Sequence, residues 1–328
     1  MISAARKSAS AFAPASVANV AVGFDLLGFA VDIAGDTAHV EVTEDGSISV
    51  GTVSGLMTAL PMDPEKNTAT AGLVQLKKNL GLEFGFRVSV KKGIPLGSGL
   101  GGSAASSVAA LVAANSLLSQ PLDHSELIQY ALIGEYAASG SYHADNVAPS
   151  MYGGMTMATL SYGGHVASRG PSAHVAPRVT VSQLPVPKNL WCVLLHPQIE
   201  IETKMARGIL KKEIHFSDHL QQSTHLASFL IGLFTENYSL LRANTRDLIV
   251  EPQRRHLIPS FDKIQTAALS NDAICCTISG AGPTVFAWAE SESDAKQIES
   301  AMMHVAQATN LTARSWYLKV PCAGARVC

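Results

Sequence analysis

Gly97, Gly99, Gly101 and Gly102 fall between a strand-like run and a helix-like one. Glycine takes backbone angles closed to other residues, so successive N–H groups in such a loop can converge on one point. The start of the following helix adds its own unpaired N–H groups and positive dipole end. The combination is an anion cradle, and phosphate is its usual occupant. Gly97, Gly99 and Gly102 also satisfy G-x-G-x-x-G, and Asp123 lies about twenty residues on, as a dinucleotide fold requires. In that fold the acidic residue ends a second strand, whereas here a helix end and Gln120-Pro121 precede Asp123. A P-loop is excluded because no Lys-Ser or Lys-Thr follows the glycines. A glycine-rich turn that only tightens a strand-to-helix corner is the bland alternative.

Other residues could serve an anionic ligand or its counter-charges. Asn19 and Asp25 are the strongly polar side chains of an otherwise small and apolar stretch, Phe12 to Gly28, so each either caps local backbone or points into a site. Glu135, near the end of an apolar helical pattern, is either a solvated carboxylate or a ligand for a hard divalent cation. His215 and His219 are four apart, but no further ligand is indicated and the pattern is not H-E-x-x-H, which argues against a dedicated metal site.

These groups need a scaffold. Phe86, Val88 and Val90 alternate as a strand, and Ala104 to Leu118, free of Gly and Pro, reads as the helix after the loop. Val40 and Val42, then Ile48, Val50 and Val53, flank Asp45-Gly46 and predict a hairpin. Asn67 to Leu80 reads as a helix with Asn67 as its cap. A second, capped by Asp123 or Ser125, carries Leu127, Ile128, Ala131, Leu132 and Tyr136. Gly, Pro, Ser and scattered His dominate from Ser161 to Leu190, which places a domain boundary there and gives units of 1–165 and 166–328. Beyond it come a strand at Leu190–Leu195, helices from Thr203, His225 and Tyr238, strands at Ala273–Ile278 and Val285–Trp288, a helix at Ser293–Gln307 and a strand at Ala313–Leu318.

Composition sets the outer bounds. A chain of 328 residues, 47% hydrophobic and 15% charged, is long enough for two globular domains. A net charge of -2 gives no general attraction to nucleic acid or an anionic membrane. Five cysteines without a C-x-x-C pair fit a reducing, cytoplasmic setting. The N-terminal run after Arg6-Lys7 lacks the apolar core of a signal peptide, and nothing approaches the roughly 18 apolar residues of a membrane span.

The loop, read in full as Pro95-Leu96-Gly97-Ser98-Gly99-Leu100-Gly101-Gly102-Ser103-Ala104, resembles the phosphate loop of the GHMP kinases, Pro-x-x-x-Gly-Leu-x-Ser-Ser-Ala. Gly102 stands where the first serine is usual. The second is kept as Ser103. The resemblance extends through Phe12–Gly28, Glu135 with the run Gly140–Pro149 and Gly153-Gly154, Thr203-x-x-x-Arg207, Asp247–Pro259, the glycine turn Ser279–Thr284 and the ending Ala323–Val327, and so covers almost the whole chain.

It implies an α+β protein of two domains, an N-terminal one of the ribosomal S5 domain 2 type and a C-terminal ferredoxin-like one, with a site in the cleft between them. The last strand is expected to pack back on the N-terminal domain. The cofactors implied are ATP and Mg2+, with Ser103 and Glu135 on the metal and the loop residues and Asn67 near the nucleotide. Within the family the segments resemble the branch that phosphorylates the side-chain hydroxyl of L-homoserine, a step of threonine biosynthesis. Asn19, Asp25, His143, Arg207 and Arg254 would then surround that substrate, Asp25 facing its ammonium and the two arginines its carboxylate. Asn146 lies where some relatives place a catalytic aspartate, so no clean general base is evident. A small-molecule substrate, no nucleic acid, no membrane and room for a homodimer complete the expectation. The competing readings are a kinase of another small alcohol, of mevalonate or shikimate type, and a non-catalytic relative that only binds ligand.

Overall fold

The computed structural model describes residues 3–162 and 177–328. Two sheets organise them. The larger is built from β1 (Ser8–Ala18), β2 (Leu27–Thr43), β3 (Ile48–Gly55), β4 (Gly85–Lys92), β5 (Met155–Ser161), β6 (Arg178–Leu184) and the last strand, β11 (Arg326–Val327). Their order is β11-β1-β2-β4-β3, with β5 joined to β2 and β6 to β5. Four helices accompany this sheet, α1 (Ala71–Leu80), α2 (Gly102–Asn115), α3 (His124–Ser139) and α4 (Ala144–Tyr152). Every residue of α2 from Ala104 to Ala114 is buried, so a helix that is apolar all round is the central strut of the domain and holds the glycine loop at its start. Asp123 caps α3 in a full capping box with Glu126.

The expected hairpin does not form. β4 lies between the two strands, antiparallel to β2 (Val42↔Phe86) and parallel to β3 (Ile48↔Phe86, Val50↔Val88). Asp45 does make its turn, accepting from Ser47 N at 2.9 Å. Burial decides the pairing. Phe86, Val88 and Val90 are all in the core, whereas β3 buries only Val50, so the more apolar strand takes the centre and β3 the edge. Helix α1 starts at Ala71 rather than Asn67, whose side chain serves the turn before it by accepting from Ala69 N at 2.9 Å.

The proposed boundary at 165/166 lies outside the described residues. β6, which follows that stretch, still pairs with β5, and the chain passes to the second sheet between β6 and β7 (Trp191–Pro197). Helices α5 (Thr203–Gly208), α6 (Phe216–Phe234), α7 (Tyr238–Asn244), α8 (Glu251–Arg254) and α9 (Phe261–Leu269) come next. They lead to β8 (Cys275–Ile278), β9 (Val285–Ala289), α10 (Glu292–Ala308) and β10 (Ala313–Lys319). The sheet order is β10-β7-β9-β8, and α9 and α10 pack together on it, the ferredoxin-like arrangement.

β7 and β9 are buried on both faces, which explains their unbroken apolar runs. Alternate residues divide between two cores. Cys192, Leu194, Phe286 and Trp288 face the core shared with the N-terminal domain, while Val193, Leu195, Val285 and Ala287 face α9 and α10. At the junction the ring of Phe29 meets Phe286 and Trp288 with centroids 5.7 Å away in each case. A junction of this kind is a continuous hydrophobic core, and it fixes the two walls of the cleft beside it. No helix among the described residues is long and apolar enough to cross a membrane.

Candidate active site

Between the sheets lies a cleft of about 510 Å³. One lip is a strained turn after β1. Asn19, Val20, Ala21 and Asp25 all have positive φ, of 71°, 43°, 57° and 60°. A β-branched residue in this region is costly, about 1–3 kcal/mol, and persists only where its surroundings impose it. Here Asn19 accepts from Asp25 N at 3.1 Å and donates to Gly280 O at 2.9 Å, and Val20 is fully buried. The turn is thereby tied to the C-terminal domain and presents Phe24 and Asp25 to the cleft.

The glycine loop forms the floor. Its carbonyls from Gly97 to Leu100 are all engaged: Gly97 O by Ile201 N at 3.1 Å, Ser98 O by Thr284 Oγ1 at 2.6 Å, Gly99 O by Ser279 Oγ at 2.6 Å and Leu100 O by Ser16 N at 3.1 Å. Three of these donors belong to the C-terminal half. Since a trans peptide places N–H opposite C=O, gripping the carbonyls from behind turns the N–H groups the other way. Those of Ser98, Gly99, Leu100 and Gly101 find no acceptor among the described residues, as a waiting anion site requires. Gly99 has φ +75°, and a Cβ there would stand 2.5 Å from Ser279 O and 2.8 Å from Gly282 O. Gly99→Val is therefore expected to weaken binding of an ATP analogue by at least about tenfold in calorimetric titration, with the circular dichroism spectrum unchanged. Wild-type affinity would remove the loop as the nucleotide site.

At the start of α2, Ser103 Oγ donates to Glu135 Oε2 at 2.6 Å, which brings together residues from two helices. His143 Nδ1 lies 3.5 Å from Glu135 Oε1. Burial pulls the His143 imidazole down, but the carboxylates of Glu135 and Asp145 outweigh it and hold the ring above its ordinary 6.5. A hydroxyl and a carboxylate at a helix N-terminus are hard oxygen donors. As a donor set they fit a magnesium ion. Asn146 accepts from Ser16 Oγ at 2.8 Å and packs against Gly101, and its amide N–H groups find no acceptor among the described residues.

The opposite end of the cleft is a cluster of charge. Arg207 and Arg254 both stack on the ring of Phe24, at 5.1 and 5.3 Å. Arg207 makes a two-pronged bond to Asp25, at 2.6 and 3.0 Å. Arg254, 3% exposed, donates to Ala206 O at 3.0 Å and Gly280 O at 3.2 Å. Burial first, and the neighbouring Arg207 second, lower the Arg254 guanidinium to about 10. Asp145, in the first turn of α4, is pushed up to about 7 by burial and then by Asp25.

Six buried side-chain polar atoms lack a partner among the described residues, and those of Ser98, His143, Asp145 and Arg207 belong to the cleft walls. Buried polar atoms without partners cost about 1–3 kcal/mol each, so their gathering in one place points to a ligand.

Most residues singled out from the sequence converge here: Asn19, Asp25, Ser103, Glu135, His143, Asn146, Arg207, Arg254 and the loop from Pro95 to Ser103 except Leu100. Leu100 and Ala104 are core residues under the loop, and Asn67 is fully buried with its amide spent on Ala69 N and Pro61 O. Thr68, which the resemblance places near the nucleotide together with Asn67, lines the cleft. Asp145 was missed. It lies in the run Gly140–Pro149 that carries part of the resemblance, between the polar neighbours His143 and Asn146, and nothing in that local sequence sets it apart from them.

Fold, loop and cleft together define a class, and comparison with known proteins agrees: residues 67–154 match the N-terminal domain of GHMP kinases and residues 227–305 their C-terminal domain, so the chain belongs to the GHMP kinases. The branch is that of the homoserine kinases. Homoserine kinase of Xylella fastidiosa (strain M12) is 42% identical over 97% of this chain and 94% of its own length. The crystal structure of homoserine kinase from Cytophaga hutchinsonii superposes with a TM-score of 0.89 at 39% identity, over 99% of each chain. The mevalonate kinase of L. major, at a TM-score of 0.68 and 14% identity, shares the fold.

Proposed function

We propose that the protein transfers the γ-phosphoryl group of ATP to the side-chain hydroxyl of L-homoserine in this cleft. The observation that carries the reading is the charge cluster. Two guanidinium groups on one aromatic ring, beside two carboxylates and in the same cavity as the anion-binding loop, suit a zwitterionic amino acid placed next to a nucleotide phosphate.

Phosphoryl transfer asks mainly for in-line positioning and neutralisation of charge. The N–H groups of the loop and the start of α2 receive the phosphates. Ser103 and Glu135 would hold magnesium, which would supply positive charge to neutralise the phosphate oxygens. Asn19 and His143 border the substrate, and Arg207 and Arg254 take its carboxylate. Both oxygens of Asp25 are already engaged by Arg207, so Asp25 is assigned to orienting that guanidinium and Asp145, with its free Oδ1, to receiving the ammonium. The hydroxyl oxygen forms the new bond to phosphorus, the bond to the ADP oxygen breaks, and the hydroxyl proton passes to the transferred phosphate. Asn146, with no basic group, donates rather than abstracts.

Release of ADP measured against homoserine, mevalonate, shikimate and simple amino alcohols tests the assignment. The highest kcat/KM is expected on homoserine, and a higher value on mevalonate or shikimate overturns it.

Asp145 gives a second, pH-resolved expectation. At pH values below its ordinary 3.8 the group is protonated in both folded and unfolded chains. Between 3.8 and about 7 the unfolded chain ionises it while the folded protein keeps the proton, so stability falls as pH rises and levels off above about 7. Asp145→Asn should therefore melt progressively higher than wild type across that window while raising the KM for homoserine. In the wild type the KM for homoserine should fall as pH rises through about 7, because only the ionised carboxylate pairs with an ammonium. A difference in melting temperature that does not change with pH would show that Asp145 is already ionised in the folded protein.

A further inference from the structure

Of the contacts that aim the glycine loop, the one to Ser98 O has a second layer. Thr284, fully buried just before β9, donates to Ser98 O twice, from Oγ1 at 2.6 Å and more weakly from its backbone N–H at 3.2 Å. Its hydroxyl has one proton, and that proton is committed to a carbonyl that can only accept. Thr284 Oγ1 also lies 3.0 Å from Nδ1 of His196. His196 sits on β7, one step beyond the last β7–β9 pair, Leu195↔Val285, which brings it alongside Thr284. With the hydroxyl proton spent, the bond between the two requires the histidine to donate.

We propose that His196 is a positioning residue for the phosphate loop: with its ring proton on Nδ1 it donates to Thr284 Oγ1, which donates in turn to Ser98 O and so fixes the direction of the Gly99 N–H. The chain His196, Thr284, Ser98 O is then polar and one-way, and each member is held by the next. Burial first, and Arg314 opposite it on β10 second, lower the imidazole from its ordinary 6.5, which favours the neutral ring. His196 is not among the residues that line the cleft. Its influence is on how well a pre-aimed N–H meets an anion, so the effect belongs to the nucleotide and not to the amino acid.

The inference rests on the loop as nucleotide site, and two measurements separate the ideas. Long-range ¹H–¹⁵N correlation of the imidazole in the nucleotide-free protein is expected to report the neutral Nδ1–H tautomer for His196. An Nε2–H tautomer overturns the proposal whatever the enzyme's activity. In calorimetry with an ATP analogue, His196→Leu and Thr284→Val should each bind roughly three- to tenfold more weakly, the loss typical of one neutral hydrogen bond. The KM for homoserine at saturating ATP should stay at its wild-type value, and His196→Asn, whose amide N–H can replace the Nδ1 donor, should recover most of the affinity. Equal losses for ATP and homoserine, or an asparagine variant no better than leucine, would reduce His196 to a packing residue. A wild-type protein that fails to bind the analogue at all would instead contradict the kinase reading of the loop.

Discussion

Glu135→Gln leaves a folded protein whose turnover falls roughly a hundred- to a thousandfold, the loss expected when one preorganised charge is taken from a transition state. Glutamine keeps the volume of the side chain and can still accept from Ser103 Oγ, which donates to the carboxylate at 2.6 Å. What disappears is the negative charge. Magnesium placement weakens, so the metal concentration for half-maximal rate should rise along with the drop in kcat. His143 also loses the carboxylate that holds its imidazole up, and its titration, followed by NMR, should move to lower pH in the variant. A folded Glu135→Gln protein that works at the wild-type rate in limiting magnesium would show that Glu135 is not a ligand.

Truncating either arginine on the Phe24 ring has a comparable effect, with a different signature. Removing one partner of a hydrogen-bonded charge pair costs about 2–5 kcal/mol, which is about 30- to several-thousandfold in kcat/KM for homoserine. The same variants should lose little on 3-aminopropan-1-ol, which keeps the ammonium and hydroxyl and lacks the carboxylate. The two sites should differ in stability. Arg254→Ala strands the carbonyl of buried Ala206, leaves that of Gly280 to Asn19 alone and should lower the melting temperature, whereas Arg207→Ala, on a half-buried residue, mainly releases Asp25. Arginine to lysine should be damaging at both positions, since a point charge cannot replace the paired donors. Equal losses on homoserine and on the amino alcohol would mean that these arginines serve the ATP phosphates or the fold.

The sequence was most informative where function is local. The loop could be read because conformational freedom and exposed N–H groups are properties of neighbouring glycines and the helix after them. Ser103 and Glu135 could be named, but their approach depends on α2 and α3 packing side by side, which spacing alone does not encode. The β2–β3 pairing failed because a turn signal states where a chain reverses and not which strand lies beside it. Burying Phe86, Val88 and Val90 settled that question. Asp145 became visible only once burial, Asp25 and Arg207 surrounded it, since its proton affinity is made by elements distant in the chain. The strained backbone at Val20 and Ala21 carries no sequence mark, as valine and alanine are poor candidates for positive φ.

The central claim is that a hydroxyl of homoserine attacks the γ-phosphorus of ATP in the cleft lined by the glycine loop, Glu135 and the two arginines. It is tested most directly by following the reaction of ATP with homoserine labelled with ¹⁸O in its side-chain hydroxyl, using ³¹P NMR. The account predicts one phosphate monoester formed per ADP, with its resonance displaced by a bridging ¹⁸O that came from homoserine. Formation of ADP and inorganic phosphate without the ester, or an ester whose bridging oxygen is unlabelled, would contradict it.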